Sequence, residues 1–141
     1  MSTRFIIQRP TMGWRIQIWI SFAVSVLACA LGLVYMPHDT VNTAFLVIGL
    51  IFSVFACFAV AKMTRDNRDG PSDTPLWISA VWGAFVASIA FMAWGLWDLE
   101  VTPWHQAFMV VSWLYLVGSA ISAAKLMRDQ YEADLVDRDA S

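Results

Sequence analysis

The sequence predicts an all-α membrane protein of four transmembrane helices, arranged as two tandem parallel-repeat helical hairpins. Three observations carry this: four long uncharged apolar blocks, a one-sided distribution of basic residues, and a match of the chain to itself at a fixed offset.

The chain has 141 residues, of which 59% are hydrophobic and 14% charged. Soluble domains lie nearer ~25% charged and ~45–50% apolar. A water-soluble fold of this size would leave much of that apolar surface wet, whereas lipid covers it. The apolar residues fall in blocks at 16–36, 41–61, 76–97 and 104–124, none with an internal Asp, Glu, Lys or Arg. Each has the ~20 residues a helix needs to cross ~30 Å of hydrocarbon. The blocks lack the alternation of a transmembrane strand.

The nine basic residues sit in three places. Arg4, Arg9 and Arg15 precede the first block, Lys62, Arg65 and Arg68 follow the second, and Lys125, Arg128 and Arg138 follow the fourth. The short turns at 37–40 and 98–103 hold none. Lys and Arg accumulate on cytoplasmic loops, so both termini and the central loop are expected in the cytoplasm of a bacterial inner membrane protein. Trp14 and Trp77 then mark the inner interface, and Tyr35, Trp97 and Trp104 the outer. The expected divisions are a cytoplasmic segment 1–15, a first two-helix repeat 16–66, a polar linker 67–75, a second repeat 76–129 and a charged tail 130–141. The start of that tail can prolong the fourth helix into water, and its end is expected to be disordered.

Shifted by 63 residues, the chain overlays itself without a gap: Thr11 on Thr74, Trp14 on Trp77, Trp19 on Trp82, Phe22 on Phe85, Ser25 on Ser88, Gly32-Leu33 on Gly95-Leu96, and Ala44-Phe45 on Ala107-Phe108. Each copy crosses an even number of times, so both point the same way. A pseudo-two-fold axis along the membrane normal should relate them. The shared residues of the first helix fall within an arc of about 160°. Such a face serves either to pack a copy within its own hairpin, the expected use, or to join the two copies. Ser25, Gly32, Ser88 and Gly95 on this face are small enough for close helix approach, as are the rows Gly49-Ser53-Cys57-Ala61 and Gly118-Ser122.

Each copy ends in Lys-x-x-Arg-Asp: Lys62, Arg65, Asp66 and Lys125, Arg128, Asp129. Topology anchoring explains these first. They are also the candidates for contact with membrane lipids or a partner, since a basic side chain near an anionic leaflet contributes ~1 kcal/mol. With Gly95-Leu96-Trp97-Asp98 and Ala107-Phe108, and their counterparts Gly32-Leu33 and Ala44-Phe45, these ends give residues 14–129 an order that resembles the YiaA/YiaB family of bacterial inner-membrane proteins. The resemblance implies the two-helix domain of that family, present twice, and no particular activity. The first copy departs at Val34-Tyr35, where the second has Trp97-Asp98.

Other classes find little support. With a net charge of −2 and no basic stripe, nucleic-acid binding is dropped. His38, Asp39, Asp98, Glu100 and His105 match no metal-ligand spacing and read as solvated turn residues. No phosphate loop, CxxC or deep nucleophile with a base appears, so neither catalysis nor a cofactor is expected. The spans lack the buried ionisable groups of pumps. Interfacial anchoring accounts for the eight Trp residues before quinone or pigment contact does. Cys29 and Cys57 lie at depths about 14 Å apart by helical rise, too far for a disulfide. The run Val26-Leu27-Ala28-Cys29 has the outline of a lipoprotein signal, but Leu27 fits poorly and the apolar block continues past Cys29. The expected role is a non-catalytic structural or accessory subunit acting by lateral helix contacts, as a homo-oligomer or in a larger complex. The alternative is an oligomeric passive channel for an uncharged solute. Reporter fusions at the N-terminus, the central linker and the C-terminus should all read cytoplasmic; a periplasmic signal from any of them refutes the charge-based topology.

Overall fold

In the computed structural model, residues 9–35, 37, 39–68 and 70–141 are described. Arg4 and His38, named above, lie outside them. The described residues form α1 (Met12–Tyr35), α2 (Thr40–Asp66), α3 (Pro75–Trp97) and α4 (Pro103–Ala140). All four are long and apolar enough to cross a bilayer.

The matched threonines open the first helix of each copy. Thr11 Oγ1 accepts from the Trp14 amide and Thr74 Oγ1 from the Trp77 amide, both at 3.3 Å. Each hydroxyl satisfies an amide left without a partner by the first helical turn. Pro75 and Pro103 stand where the missing N–H costs nothing. Asp39 caps α2 by accepting from the Asn42 amide at 3.0 Å. Between the copies, Asn67 organises the linker. Its side-chain N–H donates to Met63 O and Asp73 Oδ2, and its carbonyl accepts from the amides of Ser72 and Asp73. Gly70, at φ +139°, turns the chain where a side chain would be strained.

The helices do not pack as two closed hairpins. α1 lies along α4, α3 along α2, and α2 beside α4, whereas α1 with α2 and α3 with α4 meet only slightly. The first helix of each repeat is thus held by the second helix of the other, and α2 and α4 run parallel at the centre. The contacts come in equivalent pairs, as a pseudo-two-fold axis between α2 and α4 requires. Gly32 abuts Met109 and Phe108, and Gly95 abuts Leu46 and Phe45, the same approach in each copy. Trp19 on Phe22 and Trp82 on Phe85 form the same edge-to-face pair, at centroid distances of 6.4 and 6.0 Å. The shared face of the first helix, expected to pack inside its own hairpin, joins the two repeats instead. The reason is close packing: Gly32 and Gly95 admit the large Met109 and Phe45 side chains of the opposite repeat, where any Cβ would collide.

The tail also departs from expectation. α4 continues as helix to Ala140, with Leu126 packed on Ile18 and Ala123. Arg9 pairs with Asp137 and lies 4.0 Å from Asp134. The Gln130 carbonyl, with its amide oriented to satisfy both partners, accepts from Arg15. Exposed pairs of this kind contribute ~1 kcal/mol or less each, but several along one flank add to the apolar contact and hold the segment helical. Oxidative cross-linking should separate the interlocked packing from closed hairpins. With Cys29 and Cys57 replaced by Ala, Cys at Ser25 and Ser119, whose hydroxyls lie 2.8 Å apart across α1 and α4, should link within one molecule. No link between these positions would refute the arrangement.

Candidate functional site

Two regions gather the residues that the sequence singles out. The first lies at the end of the bundle that carries the central linker and the basic residues. Because α2 and α4 run parallel there, the two Lys-x-x-Arg-Asp ends arrive side by side. A half-open cavity of about 510 Å³ lies between them, lined by Lys62 and Arg65 from one repeat and by Lys125 and Arg128 from the other. Its walls are apolar, with Phe58 and Ala61 on α2 facing Ile121 and Ala124 on α4. Each of these pairs is again related by the repeat. Spacing alone could place each motif on a helix; only the parallel contact makes them one site.

The carboxylates of the motifs hold the basic groups in place. Lys62 Nζ donates to Asp66 Oδ2 at 2.6 Å, and Arg65 Nε lies 3.4 Å from Asp66 Oδ1. Arg128 donates to Asp129 at 3.0 Å and reaches Glu132 at 3.9 Å. Lys125, among the described residues, has no carboxylate within ion-pair distance. The cavity therefore keeps cationic donors facing space that an anion can enter.

The second region is the seam between α1 and α4. Ser25 and Ser119 hydrogen-bond across it, deep in the bundle. Beside them a groove of about 320 Å³ opens to the side, lined by Gln17, Ser21, Tyr115, Gly118 and Ser122 with Trp14 at its end. The equivalent seam between α3 and α2 keeps Trp77 and Ser88 at the positions of Trp14 and Ser25 but differs along the groove. At the positions matching Gln17, Ser21, Tyr115, Gly118, Ser119 and Ser122 it carries Ala80, Ala84, Phe52, Phe55, Ala56 and Ala59. At these positions the α1–α4 seam is polar and the α2–α3 seam apolar; along α2 and α3 a smaller indentation of about 80 Å³ lies at the other end, beside Asn42 and Asp98. Gln17 is exposed on this flank, and among the described residues nothing bonds its amide.

The small residues thus divide into two groups. Gly32, Gly49, Gly95, Ser25, Ser53 and Ser88 are spent inside the bundle. Gly49 abuts Met92 and Phe91, and Ser88 turns its hydroxyl to Phe85 O. Gly118 and Ser122 face outward, and a Cβ added to Gly118 would meet nothing within 4 Å. At the opposite end of the bundle the turn residues serve the helices: Asp98 closes α3, His105 Nδ1 shares a hydrogen bond with Thr102 Oγ1 at 2.6 Å, and Gln106 donates to Leu96 O. Among the described residues no three His, Cys, Asp or Glu are grouped so as to hold a metal ion.

Sequence reading missed Trp113. Seven of the eight Trp residues are exposed, in keeping with contact to lipid or its interface, but Trp113 is 4% exposed at the centre. Its indole N–H donates to Ser53 Oγ at 3.2 Å across the α2–α4 contact. The repeat offers a clue, since the matching position is Leu50 and the partner Ser53 matches Leu116. One diagonal of the central contact is polar and the other apolar.

A multi-pass membrane protein of two tandem two-helix repeats is the class these features define. The model of the yiaA/B two helix domain matches residues 14–66 and again 77–129, so the chain belongs to that family. No curated protein and no solved structure matches it. A double-mutant cycle of Ser53→Ala and Trp113→Phe, measured by unfolding in mixed micelles, should return a coupling of ~0.6 kcal/mol, the average for polar contacts between membrane helices. Additive effects would show that this bond contributes nothing to the central contact.

Proposed function

We propose that the protein is a non-catalytic accessory subunit of the bacterial inner membrane that works through lateral helix contacts, with both termini in the cytoplasm. The observation that carries this reading is the inequality of the two seams. In hydrocarbon, Leu surfaces gain little from meeting one another, so helix association relies on close packing and polar contacts. The α1–α4 flank offers both: an indentation at Gly118 and hydrogen-bonding groups at Gln17, Ser21 and Ser122. At the matching positions the α2–α3 flank carries Phe52 and Phe55, with alanines in place of these polar groups.

A groove that has no counterpart at the matching positions of the opposite flank suits a single lateral neighbour. That neighbour is a transmembrane helix with its own polar and small side chains, supplied by a second copy through an isologous contact or by a larger complex. The chain's own chemistry has no part in this role. A passive pathway through one copy finds less support, because Met92, Met109 and Leu46 fill the centre with at most 1% exposure.

The test uses the contrast between two glycines with open space beside them. Gly118→Leu fills the groove, whereas Gly83→Leu adds the same bulk on another flank. In lipid discs and in mild-detergent extracts, Gly118→Leu should lower self-association or recovery of the native complex at least tenfold, with Gly83→Leu unchanged. Equal behaviour of both variants, or a wild type that is monomeric and partnerless in native lipid, would sink the proposal.

A further inference from the structure

We infer that the cavity between the basic ends of α2 and α4 is a binding site for a phospholipid carrying two phosphates, of the diphosphatidylglycerol (cardiolipin) type. The inference is separate from the lateral-contact role and uses a different surface.

Three features of the cavity select this ligand. Its rim is basic. Lys62 and Arg65 stand on one side and Lys125 and Arg128 on the other. Its floor is apolar, with Phe58 and Ile121 facing each other below the charges. An anion without a hydrocarbon part would leave that floor unused, and an acyl chain without an anion would leave the rim unused. The third feature is symmetry. Each Lys-x-x-Arg pair has its equivalent across the pseudo-two-fold axis, so the site presents two similar phosphate-binding halves. A lipid with one phosphate engages one half. A lipid whose two phosphates are joined by a glycerol has the same approximate two-fold form and engages both.

The existing ion pairs do not block this. Lys62 with Asp66 is an exposed i,i+4 pair, with 71% of the lysine side chain in contact with solvent. Pairs so placed are worth little and exchange readily. Arg65 and Arg128 are 37% and 22% exposed, and each guanidinium has five donors, more than its carboxylate neighbours occupy. A phosphate accepts from such a fork at two oxygens. Lys125, lacking a carboxylate among the described residues, is the donor most ready for a phosphate. Basic pockets between transmembrane helices are suited to headgroups of this charge.

The experiment measures lipid retention on the full-length protein. Native mass spectrometry of protein delipidated in mild detergent is run with added cardiolipin, with phosphatidylglycerol at equal total charge, with phosphatidylethanolamine, and with inorganic pyrophosphate as competitor. The expected result is one cardiolipin per chain, held at least tenfold more tightly than phosphatidylglycerol and not displaced by pyrophosphate. Lys62→Gln with Arg65→Gln, and separately Lys125→Gln with Arg128→Gln, should each reduce cardiolipin to the phosphatidylglycerol level. If either double variant fails to fold, the single Lys125→Gln, which sacrifices no ion pair, should still weaken cardiolipin at least threefold, and Lys125→Arg should restore it. Equal retention of the two anionic lipids would reduce the site to a general basic surface. Displacement by pyrophosphate would make the ligand a soluble anion. Unchanged retention in the variants would place the lipid elsewhere. Each of these overturns the inference.

Discussion

The glycines at 32 and 95 set the spacing on which the bundle rests. At each, the backbone of a first helix comes so close to a second helix of the opposite repeat that Met109 in one case and Phe45 in the other fill the volume a side chain would need. Apolar surface alone cannot hold helices together in lipid, because the chains of the lipid are equally apolar. Fit must do so, and fit is best where a glycine receives a large side chain. Two such sites, equivalent by the repeat, tie each half of the molecule to the other. Neither hairpin is closed on itself, so one half without its partner would expose Gly32 or Gly95 and the serines beside them to lipid.

Interlocking also decides what stands at the centre. α2 and α4 become parallel neighbours, the one contact in the bundle where equivalent helices meet. Parallel helices bring like ends together. For the Lys-x-x-Arg-Asp termini this concentrates four cations around one cavity, at the cost of mutual repulsion that Asp66, Asp129 and Glu132 offset. Along the same contact, Trp113 and Ser53 lie on one diagonal and their equivalents Leu50 and Leu116 on the other. The axis is therefore approximate in shape and broken in polarity.

The same breakage on the outer seams gives the molecule a front and a back. A perfect duplication would offer two identical flanks and could polymerise through both. Placing Gln17, Ser21, Ser119 and Ser122 on one flank and alanines at the matching positions of the other makes the two flanks unequal. Duplication supplies the scaffold, and divergence of a few side chains supplies direction.

Composition and order alone determined much here. The four uncharged blocks fixed the number of helices, because a bilayer accepts little else of that length. The distribution of Lys and Arg fixed which ends belong together, and the offset of 63 residues fixed the parallel duplication. The matched threonines, glycines and terminal charges were all legible before any fold was known. Helix partnership was not. Lipid removes the water that would mark an inner face, so periodicity within a span says which residues share a side but not which helix that side meets. Only the tertiary structure turned the shared face of α1 toward α4, buried Trp113 while its seven counterparts stayed exposed, left Gly118 open while Gly49 closed, and joined two separate basic motifs into one cavity. Each of those outcomes depends on shape complementarity between side chains distant in sequence, which no single segment encodes.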